Sequence, residues 1–219
     1  MRAYSSDVFE KRHANTLHSA RSILSLLLDR IGPIRSAVDV GCGVGTWLSV
    51  LREAGVADIQ GVDGPWVDQN LLTIPRESFL QLDLGSSLVR LPRRFDLALS
   101  LEVAEHLPAE RADEFVCSLA RLSDCVLFSA AIPFQGGLSH VNEQWQHYWV
   151  GKFDALDYDV YDLIRPRIWR DPRIPFWYKQ NTLLFARRAS ARHDALAAAG
   201  PRADAMAVDL VHPEPASTG

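Results

Sequence analysis

Four side chains that could bind a metal ion or move a proton come from two nearby stretches of the sequence. Glu102, Glu105 and His106 form an ExxEH pattern, and one helical turn would bring them onto a single face. His140 follows in the next stretch, SHVNEQWQHYW. Two carboxylates and two imidazoles suit an octahedral ion such as Mg²⁺ or Mn²⁺, with positions left open for substrate hydroxyls. The alternative is that these residues only hold loops together.

A glycine-rich turn upstream is of the kind that approaches a ligand closely. Gly41, Gly43 and Gly45 follow a short apolar run, and a helix-compatible run begins at Thr46. This order predicts a buried strand, a tight turn with positive φ angles, and a helix whose first N–H groups are unpaired. The turn lacks the third glycine of the dinucleotide fingerprint, which argues against NAD. A purely structural turn is the alternative.

Two acidic residues follow the glycine turn at the ends of predicted strands. Asp63 ends the run IQGVD, about 20 residues past the glycines, the distance at which a carboxylate meets a ribose in Rossmann-like folds. Asp83 lies near the end of a third run, FLQLDL. A fourth apolar run, FDLALS, then leads into the polar loop that carries the ExxEH pattern.

This order of motifs resembles the class I S-adenosylmethionine-dependent methyltransferases, over roughly residues 36–187. The resemblance implies an α/β fold, a Rossmann-like seven-stranded, mostly parallel sheet with an antiparallel last strand and helices on both faces. It implies S-adenosylmethionine as cofactor, with Asp63 accepting from the ribose hydroxyls and Asp83 from the adenine amino group. Trp66 would stack on the adenine or belong to a lid. The full set of implied cofactor residues is Asp39, Gly41, Gly43, Gly45, Asp63, Gly64, Trp66, Asp83 and Leu84.

The same resemblance implies where catalysis takes place. Transfer of an activated methyl group needs a positioned acceptor and a base for its proton. Past the carboxyl ends of the fourth and fifth strands, His140 is the expected base and His106 the alternative. The ExxEH pattern with a later histidine is similar to metal-dependent O-methyltransferases, among them small-RNA 2′-O-methyltransferases and some quinone-pathway enzymes. This likeness implies Mg²⁺ or Mn²⁺ on Glu102, Glu105, His106 and His140.

Aromatic residues are dense late in the chain, where amides and guanidinium groups lie between them. Flat rings beside such polar groups suit a carbohydrate, so we expect a sugar, glycan or related small molecule that is methylated on a hydroxyl. The same rings could instead form core, which is the preferred interpretation for Trp177, or a homodimer interface. The aromatic set is Trp145, Tyr148, Trp149, Trp169, Trp177 and Tyr178.

Composition narrows the function classes. The chain has 219 residues, 47% of them hydrophobic, which suits one α/β domain with a full core. The net charge of −4 offers no basic field for a nucleic acid and speaks against the alternative of an RNA 2′-O-methyltransferase. The complete cofactor set argues against a second alternative, a non-catalytic cofactor-binding partner subunit. Three cysteines without metal-like spacing, and a polar start without a signal peptide or membrane span, predict a cytoplasmic protein.

Three segments are expected along the chain. Residues 1–35 would form an N-terminal cap segment and a helix from Thr16, with Tyr4, Phe9 and His13 near the cofactor. Residues 36–188 would form the methyltransferase core, with the first strand at about Ser36–Val40 and the last at Trp177–Ala186. Residues 189–219, rich in alanine and proline, are predicted to be a disordered tail with at most one short helix.

Overall fold

A seven-stranded sheet forms the centre of the structure, a computed structural model that describes residues 6–214 and the side chains of residues 16–214. The strand order is β3-β2-β1-β4-β5-β7-β6. Strands β1 to β5 are parallel, and β7 runs antiparallel to both of its neighbours. The predicted fold class is confirmed. The strands are β1 Ser36–Val40, β2 Asp58–Asp63, β3 Phe79–Gln81, β4 Leu97–Leu101, β5 Cys125–Ser129, β6 Tyr158–Tyr161 and β7 Leu183–Arg187.

Helices cover both faces of the sheet and enclose two apolar layers. One layer includes Ile23, Leu27 and Leu48, and the other includes Phe115 and Phe153. In the part of the chain that is described, no helix is both long enough and apolar enough to cross a membrane. The helices are α1 Ser6–Ile31, α2 Thr46–Glu53, α3 Ala112–Leu122, α4 Gln146–Asp154, α5 Arg165–Ile168, α6 Phe176–Asn181 and α7 Ala191–Ala199.

The central strands are buried on both faces, as is typical of parallel strands between helices. All five residues of β4 are buried, and the Ser100 hydroxyl inside it donates to the Val40 carbonyl oxygen of β1 at 2.9 Å. Because β1, β2, β4 and β5 are parallel, their carboxyl ends lie along one edge of the sheet. Open α/β sheets bind ligands at this edge.

Two elements near the ends of the core differ from their predicted positions. Helix α1 begins at Ser6, ten residues before the predicted start, because its charged first turns contain good helix formers although they lack an apolar stripe. The stretch predicted to begin the last strand at Trp177 is helix α6, which follows Pro175, a residue favoured at helix starts. The predicted cap residues Tyr4, Phe9 and His13 lie outside the described side chains.

The segment expected to be a disordered tail is folded as far as it is described. Helix α7 buries Leu196, and the following stretch, residues 201–214, crosses the sheet edge as a C-terminal strap that buries Val208. The Ala203 N–H donates to the Val160 carbonyl oxygen of β6 at 2.9 Å. The alanine-rich composition did not predict this packing, because the strap contributes mainly polar contacts and few apolar side chains.

Candidate active site

The glycine turn after β1 combines close packing with an open face. A Cβ on Gly41, at φ 88°, would lie 2.2 Å from Cγ2 of Val103, and one on Gly45, at φ 87°, would lie 2.9 Å from Cγ1 of Ile74. A Cβ on Gly43, at φ 54°, would have no heavy atom within 4 Å. The outer glycines are required by packing, and the middle one leaves room for a ligand against the backbone.

Asp63, at the end of β2, holds this turn in place. Its Oδ2 accepts from the Gly43 N–H at 2.7 Å and its Oδ1 from the Gly64 N–H at 2.6 Å. Burial raises the pKa of Asp63, and these two N–H groups act in the opposite direction. The carboxylate predicted to bind the ribose therefore also links β1 to β2.

Asp39 lies beside this turn, and within residues 16–214 it forms no ion pair. It is 2% exposed, and its Oδ2 accepts no hydrogen bond from the described residues. Burial, and next the charge of Asp63, raise the pKa of Asp39 to about 8. A buried carboxyl with a free oxygen suits a cationic group of a ligand. Burial and these acids also raise the pKa of the Cys42 thiol, which makes this cysteine a poor nucleophile.

The predicted adenine residues lie after β2 and β3. Asp83 accepts from the Gly85 N–H at 2.9 Å and from the Ser86 hydroxyl at 3.0 Å, and Leu84 next to it is buried. Trp66 is 47% exposed, and its ring covers Gly64, where a Cβ would lie 2.2 Å from the ring. An exposed ring over a glycine can stack on a ligand or close over it.

Three of the four predicted metal ligands converge past β4. Glu105, His106 and His140 each offer a ligand atom, and these atoms lie within 4.8 Å of one another. Glu105 is fully buried, and neither of its carboxylate oxygens accepts a hydrogen bond from the described residues. Burial, followed by the charge of Glu102, raises the pKa of Glu105 well above its ordinary value. A buried carboxylate beside two imidazoles fits a divalent ion.

Glu102, the fourth predicted ligand, lies outside this group. Its Oε1 accepts from Asn181 Nδ2 and its Oε2 from Gln135 Nε2, both at 3.1 Å. Its backbone has φ 55°, uncommon for a residue with a side chain, and its N–H donates to the Ser129 carbonyl oxygen at 3.0 Å. Burial raises the pKa of Glu102, whereas the amide donors lower it.

His140 is oriented by a carboxylate that the sequence analysis did not identify. Its Nδ1 lies 2.9 Å from Oε1 of Glu143, and Glu143 accepts from the Phe134 N–H at 2.9 Å and the Gly136 N–H at 3.1 Å. The rings of His106 and His140 meet edge to face with centroids 4.9 Å apart. The signal available in the sequence was the HxxE spacing, which places the carboxylate three residues after the histidine.

Much of the aromatic set belongs to the core. Trp149 is 2% exposed and packs on Phe128, with ring centroids 5.3 Å apart. Tyr178 is 7% exposed and meets Trp47 edge to face. Trp177 packs against the same apolar layer, in agreement with the interpretation of this residue as part of the core. Trp149 and Tyr178 therefore offer no open ring face to a sugar.

Comparison with known proteins gives a family and several related folds. A family model described as a methyltransferase domain matches residues 10–159, more than half of the chain. A comparison with curated protein sequences finds no match.

Among solved structures, DesVI from Streptomyces venezuelae has 16% identity and a TM-score of 0.61, over 85% of this chain and 100% of that one. A SAM-dependent methyltransferase from Archaeoglobus fulgidus has 18% identity and a TM-score of 0.59, over 84% and 100%. Magnesium protoporphyrin IX methyltransferase (ChlM) from Synechocystis, with bound SAM, has 18% identity and a TM-score of 0.56, over 85% and 86%. At these identities the likenesses establish the fold alone.

Proposed function

Because this chain belongs to the methyltransferase-domain family, we propose that it transfers a methyl group from S-adenosylmethionine to a hydroxyl of a sugar, glycan or related small molecule. The observation that carries the choice of a hydroxyl is the His140–Glu143 pair, 2.9 Å apart. An attacking hydroxyl must lose a proton, and an imidazole held by a carboxylate is a suitable base.

The glycine turn with Asp39, Asp63 and Asp83, here called the cofactor half of the site, supplies groups that match the methyl donor. S-adenosylmethionine carries positive charge on its sulfonium and ammonium groups. Asp39, with its free buried oxygen, would accept from the ammonium, and the open face of Gly43 would lie along the methionine part. Asp63 and Asp83 keep their predicted roles toward the ribose and the adenine. The Synechocystis enzyme with bound SAM has the same fold, which supports this assignment.

When bound, S-adenosylmethionine would supply the methyl group to the acceptor oxygen and would be released as S-adenosylhomocysteine. Nε2 of His140 would take the hydroxyl proton. Glu143, fixed by two backbone N–H groups, holds the imidazole through Nδ1 and stabilises its protonated form.

A metal-assisted version uses the group formed by Glu105, His106 and His140. These residues would hold Mg²⁺ or Mn²⁺, which would lower the pKa of a bound hydroxyl. Nε2 of His140 cannot both bind the ion and take the proton. With the ion present on these three residues, water would be the proton acceptor.

The carboxylate beside the base favours a neutral acceptor. Glu143 lies 2.9 Å from Nδ1 of His140, and a carboxylate at this position repels the phosphates of an RNA end. Hydroxyl groups of a sugar can bond to carboxylates and amides without this penalty.

The first test is calorimetric titration with S-adenosylhomocysteine, with Mg²⁺ and then with EDTA, followed by a methyl-transfer assay on a panel of sugars. We expect micromolar binding that is unchanged by EDTA. Loss of turnover with EDTA would support the metal-assisted version. Absence of binding would contradict the proposed donor.

The metal site has a test that needs no acceptor. Titration of Mn²⁺ followed by electron paramagnetic resonance should show binding that Glu105→Gln abolishes. The matched control is Glu110→Gln, an exposed residue of the same loop. Equal Mn²⁺ binding by both variants would remove Glu105 from the site.

A further inference from the structure

The C-terminal strap provides partners for polar side chains that are almost fully buried. Each of these side chains belongs to the segments around α4, α5 and α6, and each is at most 3% exposed. Without the strap each of these buried groups would lose a hydrogen-bond partner, and an unpaired buried polar group lowers the free energy of unfolding. The contacts are Arg165 Nη1 to the Val208 carbonyl oxygen (2.9 Å), Gln146 Nε2 to the Leu210 carbonyl oxygen (2.9 Å), the His212 N–H to Gln180 Oε1 (2.9 Å) and Lys179 Nζ to Glu214 Oε2 (2.6 Å).

Gln180 is the residue at which the strap meets the site. Its Oε1 accepts from the His212 N–H on one side. On the other side its Nε2 donates to Gln135 Oε1 at 3.0 Å and to Asn181 Oδ1 at 3.1 Å. Only one orientation of the amide satisfies both sides, because the strap offers a donor and the site offers acceptors.

The two side-chain amides that accept from Gln180 donate in turn to Glu102. Gln135 and Asn181 both donate to its carboxylate, and Asn181 also donates to Gln135 at 2.9 Å. Hydrogen bonds therefore run without a break from the strap to the residue whose backbone takes φ 55° at the end of β4. A left-handed conformation at such a residue persists only where its surroundings fix it.

We propose that Gln180 is a positioning residue, which couples docking of the C-terminal strap to the conformation of Glu102 and so to the turn that carries Glu105 and His106. The role of that turn in methyl transfer rests on the proposed function. The strap then supports the acceptor half of the site, which is formed by Glu102, Glu105, His106 and His140. Loss of the strap lowers turnover without affecting the cofactor half.

Gln180→Glu separates the two sides of this connection. The variant keeps an oxygen for the His212 N–H but loses the donor to Gln135 and Asn181. We expect kcat to fall about tenfold or more, while the Kd for S-adenosylhomocysteine stays within about twofold. Asp209→Asn is the matched control, because it weakens only the exposed strap contact to His147 and should leave kcat unchanged.

A second measurement does not depend on any methyl transfer. Hydrogen–deuterium exchange should show faster exchange of the Glu102 N–H in Gln180→Glu and not in Asp209→Asn. A wild-type chain without transferase activity would contradict the proposed function and leave this readout intact. Wild-type kcat together with unchanged exchange at Glu102 would overturn the positioning role.

Glu214→Gln covers the case in which Gln180→Glu does not fold. Glu214 is half exposed, and its replacement leaves the buried Lys179 without a carboxylate at the end of the strap. We expect a smaller rise in Glu102 exchange and a fall in kcat of a few-fold. No change in either quantity would show that the strap and Glu102 are independent.

Discussion

The two halves of the site obtain left-handed backbone in different ways. Around the proposed cofactor position the residues with positive φ are Gly41, Gly43 and Gly45. Around the proposed acceptor position Gly136 and Gly137 also have positive φ, but so do three residues with side chains, Glu102, Phe134 and Ser139, at φ 55°, 69° and 64°. Glycine adopts this conformation freely, whereas other residues need about 1–2 kcal/mol from their surroundings.

This difference indicates what holds each half in shape. The turn of the cofactor half forms from local backbone and one carboxylate, Asp63, on the neighbouring strand. The acceptor half depends on side chains from distant parts of the chain, such as Asn181, 79 residues after Glu102. The cofactor half is therefore expected to be robust to changes elsewhere, and the acceptor half to respond to them.

The largest expected effect separates the halves by function. His140→Ala removes the proposed base and should lower kcat by about 10²–10⁴-fold, with S-adenosylhomocysteine affinity retained. The measurement is steady-state methyl transfer together with calorimetry. His147→Ala, an exposed histidine on α4, is the control. Unchanged turnover in His140→Ala would remove this residue as base.

The next effect tests the glycine turn by stability. Gly41→Ala combines a left-handed φ with a contact of 2.2 Å to Val103, so we expect the free energy of unfolding to fall by about 2–4 kcal/mol. Gly43→Ala carries the φ cost alone, about 1 kcal/mol, and should instead weaken cofactor binding. Urea denaturation and calorimetry measure both. Equal destabilisation by the two variants would contradict the packing argument.

A third prediction concerns pH and the cofactor half. The pKa of Asp39 is raised to about 8, so between about pH 4 and pH 8 the folded chain keeps a proton that the unfolded chain has released. Stability should therefore fall as pH rises through this window and level off above it. In Asp39→Asn the contribution of this group is absent.

Urea denaturation without cofactor at pH 5 and pH 8 checks this sign. The variant should gain on the order of 3–4 kcal/mol over the wild type between the two pH values, since each pH unit in this window contributes about 1.4 kcal/mol. Asp29→Asn, at an exposed position on α1, serves as the control. A constant difference between Asp39→Asn and the wild type would contradict the prediction.

The smallest effect tests the acceptor half. Ser139→Gly relieves a left-handed residue at an exposed position, so the free energy of unfolding should change by about 1 kcal/mol or less. The Ser139 carbonyl oxygen lies 3.3 Å from Nδ1 of His106, and a looser loop should lower kcat by a few-fold. Thermal denaturation measures the change in stability, and steady-state kinetics measures the change in kcat. A rise in kcat would argue against a role for loop rigidity.

The halves also differed in how well the sequence predicted them. Strand β1 has the bounds expected for it, and Asp63 lies at the end of a strand as predicted, because strand periodicity and glycine requirements are local. Glu143, Gln135 and Gln180 were not identified as site residues. Their positions depend on which side chains meet across the fold, and no local pattern encodes that pairing.

The predictions for the aromatic set and the tail rested on composition, which does not determine whether a side chain is buried. Trp149 and Tyr178 have the composition of a sugar platform, but their burial is decided by the face of a short helix. The strap has the composition of a disordered segment, since it buries few apolar groups. Its order comes from the polar side chains of other elements that it satisfies, as for Arg165.

The position of β7 between β5 and β6 sets the order in which the protein can be completed during synthesis. Strand β6 pairs in the sheet only with β7, so among the described strands it has no neighbour until residues 183–187 have left the ribosome. Gln180 and Asn181 lie just before that strand, and the strap follows it. The glycine turn and Asp63, in contrast, leave the ribosome within the first third of the chain. Translation therefore delivers the methyl-donor half first and the acceptor half last.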